Sequence, residues 1–308
     1  MPKPETNERP SALPSSVVSL SSPSVLAARR SWLGRALDAV LYSSVWLAGA
    51  AAAQTAVTFG LWPAGGLGTY RVVALVFAAT LLVYNFDAVL PFKYRQPAGT
   101  SRRKAWQQQH RRALIVLAGG AALTMAYFIL ADGWWRYLPG LLPLAVLALL
   151  YSWPMGRYGA LREVPLLKVF LIAGVWSAVT VGLPTLAQHR PLTETLGLLT
   201  QRFFLVLSLA IVFDIRDLSR DRAAGTRTFP VVLGLAGAKV VALVFLAGAM
   251  GLGLERGVPP LGLGITGLSA ASVILLAHEN RNDYFFALLA DGVLLVPAAM
   301  FLLGAYSN

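Results

Sequence analysis

The chain has 308 residues, of which 56% are hydrophobic and only 13% charged, and a mean hydropathy of +0.63, which excludes an ordinary soluble globular domain. A formal charge of +12 would suit nucleic acid, but the basic residues fall mainly between apolar segments, where they serve membrane topology and anionic headgroups instead. Cysteine is absent, which removes disulfides, thiolate metal sites and thiol nucleophiles.

Residues 1–32, rich in Ser and Pro, read as a disordered cytoplasmic tail without the basic, apolar and small-residue order of a signal peptide. Residues 33–308 read as one transmembrane domain. Nine apolar segments, each long enough to cross about 30 Å of hydrocarbon, run approximately over 36–58, 70–90, 112–131, 135–152, 165–186, 196–216, 235–254, 258–277 and 284–304. The expectation is an all-α polytopic membrane protein with nine transmembrane helices. Of the 26 Lys and Arg, only Arg71, Arg136, Arg190, Arg202 and Arg256 then fall on the outer side. That bias places the N-terminus and the loops after helices two, four and six in the cytoplasm. The basic loops and the lack of a transit peptide fit a bacterial plasma (inner) membrane.

Asn85 and Asp87 close the second segment, and taken alone they are a polar end to a membrane helix. The loop that follows carries Lys93, Arg102 and Arg103, whose simplest role is to face anionic lipid. Tyr151 closes the fourth segment. Lys168 lies just inside the fifth, where an ammonium must snorkel to the interface or meet an anion. In the ninth segment Asp291 is an intramembrane carboxylate, read as a polar residue lining a cavity.

The most informative residues end the sixth segment: Asp214, Asp217 and Asp221. At 3.6 residues per turn the spacing i, i+3, i+7 puts all three on one face of a helix. Carboxylates so close repel one another beside a membrane, which points to a compensating divalent ion, and Mg²⁺ typically takes one or two carboxylates plus substrate phosphates. The competing reading is a helix end balanced by Arg216, Arg220 and Arg222. Gly225 follows, where the chain must turn away and glycine accepts positive φ without steric cost.

The string Asp214-x-x-Asp217-x-x-x-Asp221-x-x-x-Gly225-x-x-Thr228, with Pro230 and then Val231-Val232-Leu233-Gly234, resembles the second aspartate-rich motif of the UbiA-type intramembrane prenyltransferases. Nine helices with acidic motifs after the second and sixth are that family's plan. The resemblance implies a helical bundle around a central intramembrane cavity, and transfer of a polyprenyl group from a prenyl diphosphate to a lipophilic acceptor within the bilayer. It also implies Mg²⁺ as cofactor, with Asp214, Asp217, Asp221 and Asn85 as the catalytic, metal-holding residues. Lys93, Arg102, Arg103, Tyr151, Lys168 and Asp87 are the implied substrate-binding residues at the diphosphate end.

The first motif departs from the family pattern N-D-x-x-D-x-x-x-D, since alignment on Asn85 sets Phe86, Val89 and Lys93 at the three acidic positions. Asp87 is turned roughly 200° from Asn85 on a helix and replaces a lost ligand only if the helix has unwound near Pro91. Lys93 could instead meet a phosphate directly. Two alternatives follow: a catalytically impaired relative that binds an isoprenoid, and a transporter.

Overall fold

The computed structural model describes residues 31–62, 67–91, 101–139, 142–143, 146, 164 and 166–304. The chain divides at Ala36 into two units. The first contributes only the opening of the first helix to the described residues, and the second, from Leu37 onward, contains everything treated below.

Among the described residues all regular structure is helical. Helix α1 (Trp32–Tyr42) meets α2 (Val45–Gly60) at a 59° bend. Ser44 makes the bend with a left-handed backbone, φ 64°. Then come α3 (Leu67–Val89), the short α4 (Arg102–Gln109) and α5 (Arg111–Ala131). Helix α6 (Leu167–Ser177) runs through a π-helical turn, Ala178–Gly182, into Leu183–Ala187. Helices α7 (Leu192–Arg216), α8 (Leu218–Ala223), α9 (Phe229–Glu255) and α10 (Pro260–Leu276) follow. A second π-helical turn, Phe285–Ala290, leads through Val293–Leu295 into α11 (Val296–Leu302).

Six of these stretches are long and apolar enough to cross a membrane, and the bent α1–α2 pair makes a seventh candidate. The nine expected spans are therefore not all accounted for among the described residues. The segment near 258–277 appears as α10, whose 17 residues reach only about 25 Å at 1.5 Å per residue. The segment near 135–152 lies largely outside the described residues, which keep a single turn at its start, Trp134–Tyr137.

Helix α7 is the hub. It packs against α6 and α9, and Leu205, Leu207, Ile211 and Ile215 are fully enclosed along its length. Helix α9 turns a stripe of small residues inward, Ala238, Ala242, Ala249 and Gly253, at the three- and four-residue spacing that lines one helical face. Gly253 is required there, because a methyl group in its place would sit 2.7 Å from the Leu263 side chain of α10. The outer helices show the opposite pattern. Helix α5 buries Leu114, Ala118 and Ala121 while Val116 and Leu123 are about three-quarters exposed, as befits a face turned to lipid.

One charge lies where the sequence placed an interfacial residue. Arg202 is 3% exposed inside α7 and donates to the Gln54 carbonyl at 3.2 Å, Thr180 Oγ1 at 3.3 Å and Thr58 Oγ1 at 3.5 Å. Thr180 belongs to the first π-helical turn, so a single guanidinium ties α2, α6 and α7 together. Gln54, Gln201 and Arg202 line a cavity of about 20 Å³, enough for one water. Arg202→Met keeps the length of the side chain and removes its donors, leaving buried acceptors unmet at a cost of about 1–3 kcal/mol. The thermal unfolding midpoint in detergent should fall, and an unchanged midpoint would show that Arg202 is not a brace.

Candidate functional site

The three acids are not carried on one continuous helix. Helix α7 stops at Arg216, and Asp217 forms the joint with φ −92° and ψ 5°. Its N–H is shared between the Phe213 and Asp214 carbonyls, both at 3.2 Å. Asp221 stands on α8, whose end is closed by paired bonds, Thr226 N–H to the Asp221 carbonyl at 2.8 Å and Gly225 N–H to the Arg222 carbonyl at 3.2 Å. This is the Schellman arrangement, and it needs the left-handed residue supplied by Gly225, φ 70°. Thr228 then caps α9 in extended conformation with Pro230 in its first turn. Gly234, φ 74°, breaks α9 one turn later.

All three carboxylates turn inward, with Asp214 1% exposed and Asp217 and Asp221 each 8% exposed. The compensating charges in the structure are side chains. Lys168 Nζ meets Asp214 Oδ1 at 2.8 Å. Arg216 grips Asp217 through Nε and Nη2, both at 3.1 Å, and Arg220 Nη2 reaches Asp217 Oδ2 at 2.7 Å. The Lys168 charge also acts on Asp217 and Asp221, so the four groups form one electrostatic cluster. Burial alone would raise the Asp217 carboxyl, but the Arg216 and Arg220 guanidinium groups hold it below the usual carboxylate range. Asp221 differs, since burial pushes its carboxyl up more than Lys168 draws it down. Its Oδ2 and the Thr228 hydroxyl are buried acceptors with no hydrogen-bond partner.

These pairs correct the expectation that a metal alone must balance the acids. Among the described residues no three His, Asp or Glu side chains are grouped closely enough to hold a metal ion. The physical reason lies in the break at Asp217: Asp214 faces Lys168 while Asp217 faces two arginines.

A second set of charges adjoins the first. Arg103, on α4, is held by its own N–H on Asp283 Oδ2 at 3.0 Å and by Nη2 on Ser44 Oγ at 3.3 Å. Burial and then the like charge of Arg216 lower its pKa, opposed by Asp291, Tyr84 and Asp283. Asp291 is 8% exposed, and Arg103 and Arg216 are the cations that act on it. Arg216 itself lies over the rings of Phe213 and Phe286, at 5.1 and 5.8 Å. Trp176, also placed near the cavity by the sequence, donates its indole N–H to the Tyr84 hydroxyl at 3.2 Å.

The remaining predicted residues divide three ways. Asn85 is 1% exposed, and its Nδ2 donates to the Ser43 carbonyl at 2.9 Å and the Leu81 carbonyl at 2.8 Å, while Oδ1 has no partner. It stands at the same bend that receives Arg103, through the adjacent Ser44. Asp87 lies on α3, which stays helical through Val89, so it points away from Asn85 as helical spacing requires. Arg102 is turned to Tyr284 Oη at 3.0 Å and Asp38 Oδ2 at 3.5 Å, fastening α4 to the first and last spans. Lys93 and Tyr151 lie outside the described residues. Sequence reasoning missed Arg216 and Arg220 as members of the site and Asp38, Tyr84 and Tyr284 as its supports. The signal for Asp38 and Tyr284 was a polar group just inside an apolar segment.

Lys168→Met should strand the buried Asp214 and cost roughly 3 kcal/mol, most of which returns in the double variant Lys168→Met with Asp214→Asn. Equal destabilisation in the single and double variants would dissolve the pair. The pH dependence should split by residue. Asp217, lowered in the folded state, contributes stability that is present above the ordinary carboxylate range and is lost as pH falls through its folded value. Asp217→Asn should therefore flatten the acid limb of a stability-against-pH curve. Asp221, raised, contributes only below that range and loses it as pH rises through the folded value, so Asp221→Asn should not destabilise the protein at neutral pH.

The comparisons with known proteins bear on the whole arrangement. No curated protein matches the chain. An apo structure of a UbiA homologue from Aeropyrum pernix K1 superposes with a TM-score of 0.52 at 18% identity, covering 84% of this chain and 97% of its own, which shows the fold. A structure titled for digeranylgeranylglyceryl phosphate synthase in membranes gives a TM-score of 0.48 at 13% identity, over 90% of this chain and 99% of its own. The model of the UbiA prenyltransferase family matches residues 102–285, from the cap helix α4 through both charge clusters to the last span. The chain is an integral, multi-pass membrane protein of all-α, UbiA-like fold, and it belongs to the UbiA prenyltransferase family.

Proposed function

We propose that this protein transfers a polyprenyl group from a prenyl diphosphate to a lipophilic acceptor in the membrane, with the diphosphate received at the cluster of Lys168, Asp214, Asp217, Arg216, Arg220 and Asp221. The observation that carries this reading is the burial of three carboxylates and their cations at the joint between α7 and α8, inside the stretch matched by the family. Lys168 and the two arginines supply the positive charge against which a departing diphosphate is stabilised, and guanidinium forks match phosphate oxygens in pairs. Arg103 adds a buried cation from the cap helix. The aromatic faces of Phe213 and Phe286 lie beside Arg216, where they would meet the allylic end of the donor and favour positive charge there.

Enzymes of this family generally use Mg²⁺. The residues fit an ion completed by substrate rather than one caged by protein alone: Asp221 offers an unpartnered buried oxygen, Asp217 lies beside it in the same electrostatic cluster, and Mg²⁺ takes one or two carboxylates plus phosphates. Bound there, the ion would neutralise charge on the leaving group. By the positive-inside rule the Asp217 face and the N-terminus are cytoplasmic, and a bacterial plasma membrane fits the basic loops.

A second reading draws on Asn85. Its amide donors are spent on backbone carbonyls and no acid follows at the family's positions, so a protein that binds an isoprenoid diphosphate without turning it over also accounts for this half of the site. Prenyl transfer by the purified, Mg²⁺-supplied protein should be abolished in Asp217→Asn and in Asp221→Asn. Unchanged turnover in both would remove the assigned roles, whereas tight binding of a diphosphate analogue with no product across a panel of donors and acceptors would establish the second reading.

A further inference from the structure

We propose that a basic cleft between α9 and the α10–Phe285 connection binds the phosphate headgroup of an anionic phospholipid from the leaflet on the Asp217 side. The cleft has a volume of about 430 Å³ and is lined by Lys239, Leu275, Leu276, His278, Asn280 and Arg281, together with Ala277. None of these belongs to the cluster at Asp214. The connection lies at the same end of the bundle as that cluster, because the Ser219 hydroxyl of α8 bonds Glu279 and the Arg103 N–H bonds Asp283.

The cations converge because the end of α10 collects them. Lys239 Nζ donates to the Leu275 carbonyl at 2.7 Å, and Arg281 Nε donates to the next carbonyl, Leu276, at 3.1 Å. Capping of a helix C-terminus explains those two bonds and no more. Both side chains keep further donors, and among the described residues neither forms an ion pair. His278 Nδ1 accepts from the Asn280 N–H at 3.2 Å, which leaves its proton on Nε2 as another donor. The nearest acid in sequence, Glu279, is engaged by Ser219 and does not line the cleft. The lining therefore offers donors and positive charge with no carboxylate in opposition.

A lipid source is favoured over free phosphate by the apolar rim. Leu275 and Leu276 are 58% and 54% exposed at the edge of the cleft, and Val240, beside Lys239, is 60% exposed on the span. A headgroup held by Lys239 and Arg281 would lay its acyl chains against these residues. Basic pockets between membrane helices on the cytoplasmic side have this character. An occupied cleft would also steady the connection that carries Asp283, and with it Arg103.

The test compares thermal unfolding in nanodiscs of phosphatidylcholine alone with nanodiscs that include phosphatidylglycerol. The parent protein should unfold at higher temperature when phosphatidylglycerol is present, and Lys239→Arg and Arg112→Gln, an exposed charge lost elsewhere, should keep that shift. Lys239→Gln combined with Arg281→Gln should lose it. Asn280→Asp, which removes no cation but sets an acid in the lining, should diminish it, and this variant decides the matter if the double one does not fold. An undiminished shift in Asn280→Asp or the double variant, or an equal loss in Arg112→Gln, overturns the site. A matching shift from inorganic phosphate in phosphatidylcholine discs overturns the lipid assignment.

Discussion

The structure depends on how carboxylates are tolerated at the end of a helix that is otherwise wholly apolar. A buried acid is expensive unless it is paired and hydrogen-bonded. Here Lys168 arrives from α6, while Arg216 and Arg220 come from the same joint as the acids they meet. The pairing fixes how α6 lies against α7 at this end. It also fixes where the chain leaves the helix, because Asp217 can face two arginines only if α7 has already stopped. Around this joint the cap helix α4 is fastened by Asp38, Tyr284, Asp283 and Ser44, so that Arg103 reaches toward Arg216 from the other side.

Such a site is near neutrality before any ligand arrives. A diphosphate would bring negative charge to cations that are already engaged, so binding becomes an exchange of partners in which carboxylates surrender arginine or lysine. An ion at Asp221 would lessen the cost of that exchange by taking up the acids released. This links the unpartnered oxygen of Asp221 to the ion pairs beside it, and it explains why the site tolerates the loss of acids after α3 without leaving the remaining ones bare.

Much of the bundle was legible because membrane spans announce themselves by composition. The windows of α3, α5, α7 and α9 coincide with uninterrupted apolar runs, and the Asp214–Pro230 string, with its glycine at 225, foretells a turn that the Schellman closure delivers. What the sequence hid were consequences of backbone irregularity. Helical spacing set three acids on one face, but that inference assumes a continuous helix, and the joint at Asp217 redistributes them. Arg202 sat in plain view inside an apolar run, yet its burial depends on acceptors from α2 and α6 that no local pattern predicts. The charge set of Arg103, Arg216, Asp283 and Asp291 joins elements that are far apart in the chain, and linear spacing carries no information about it.

The two π-helical turns deserve a final thought for what they do to orientation. Each is a place where the helix winds more loosely than the usual repeat, and side chains beyond it are rotated relative to a uniform α-helix. Thr180 uses the first to meet Arg202, and Asp291 follows directly upon the second. One residue subtends about 100° of a helix. Shortening Phe285–Ala290 by a single position would thus swing the carboxylate of Asp291 off the arginines and toward lipid tails, so chain length in that stretch is constrained as tightly as residue identity.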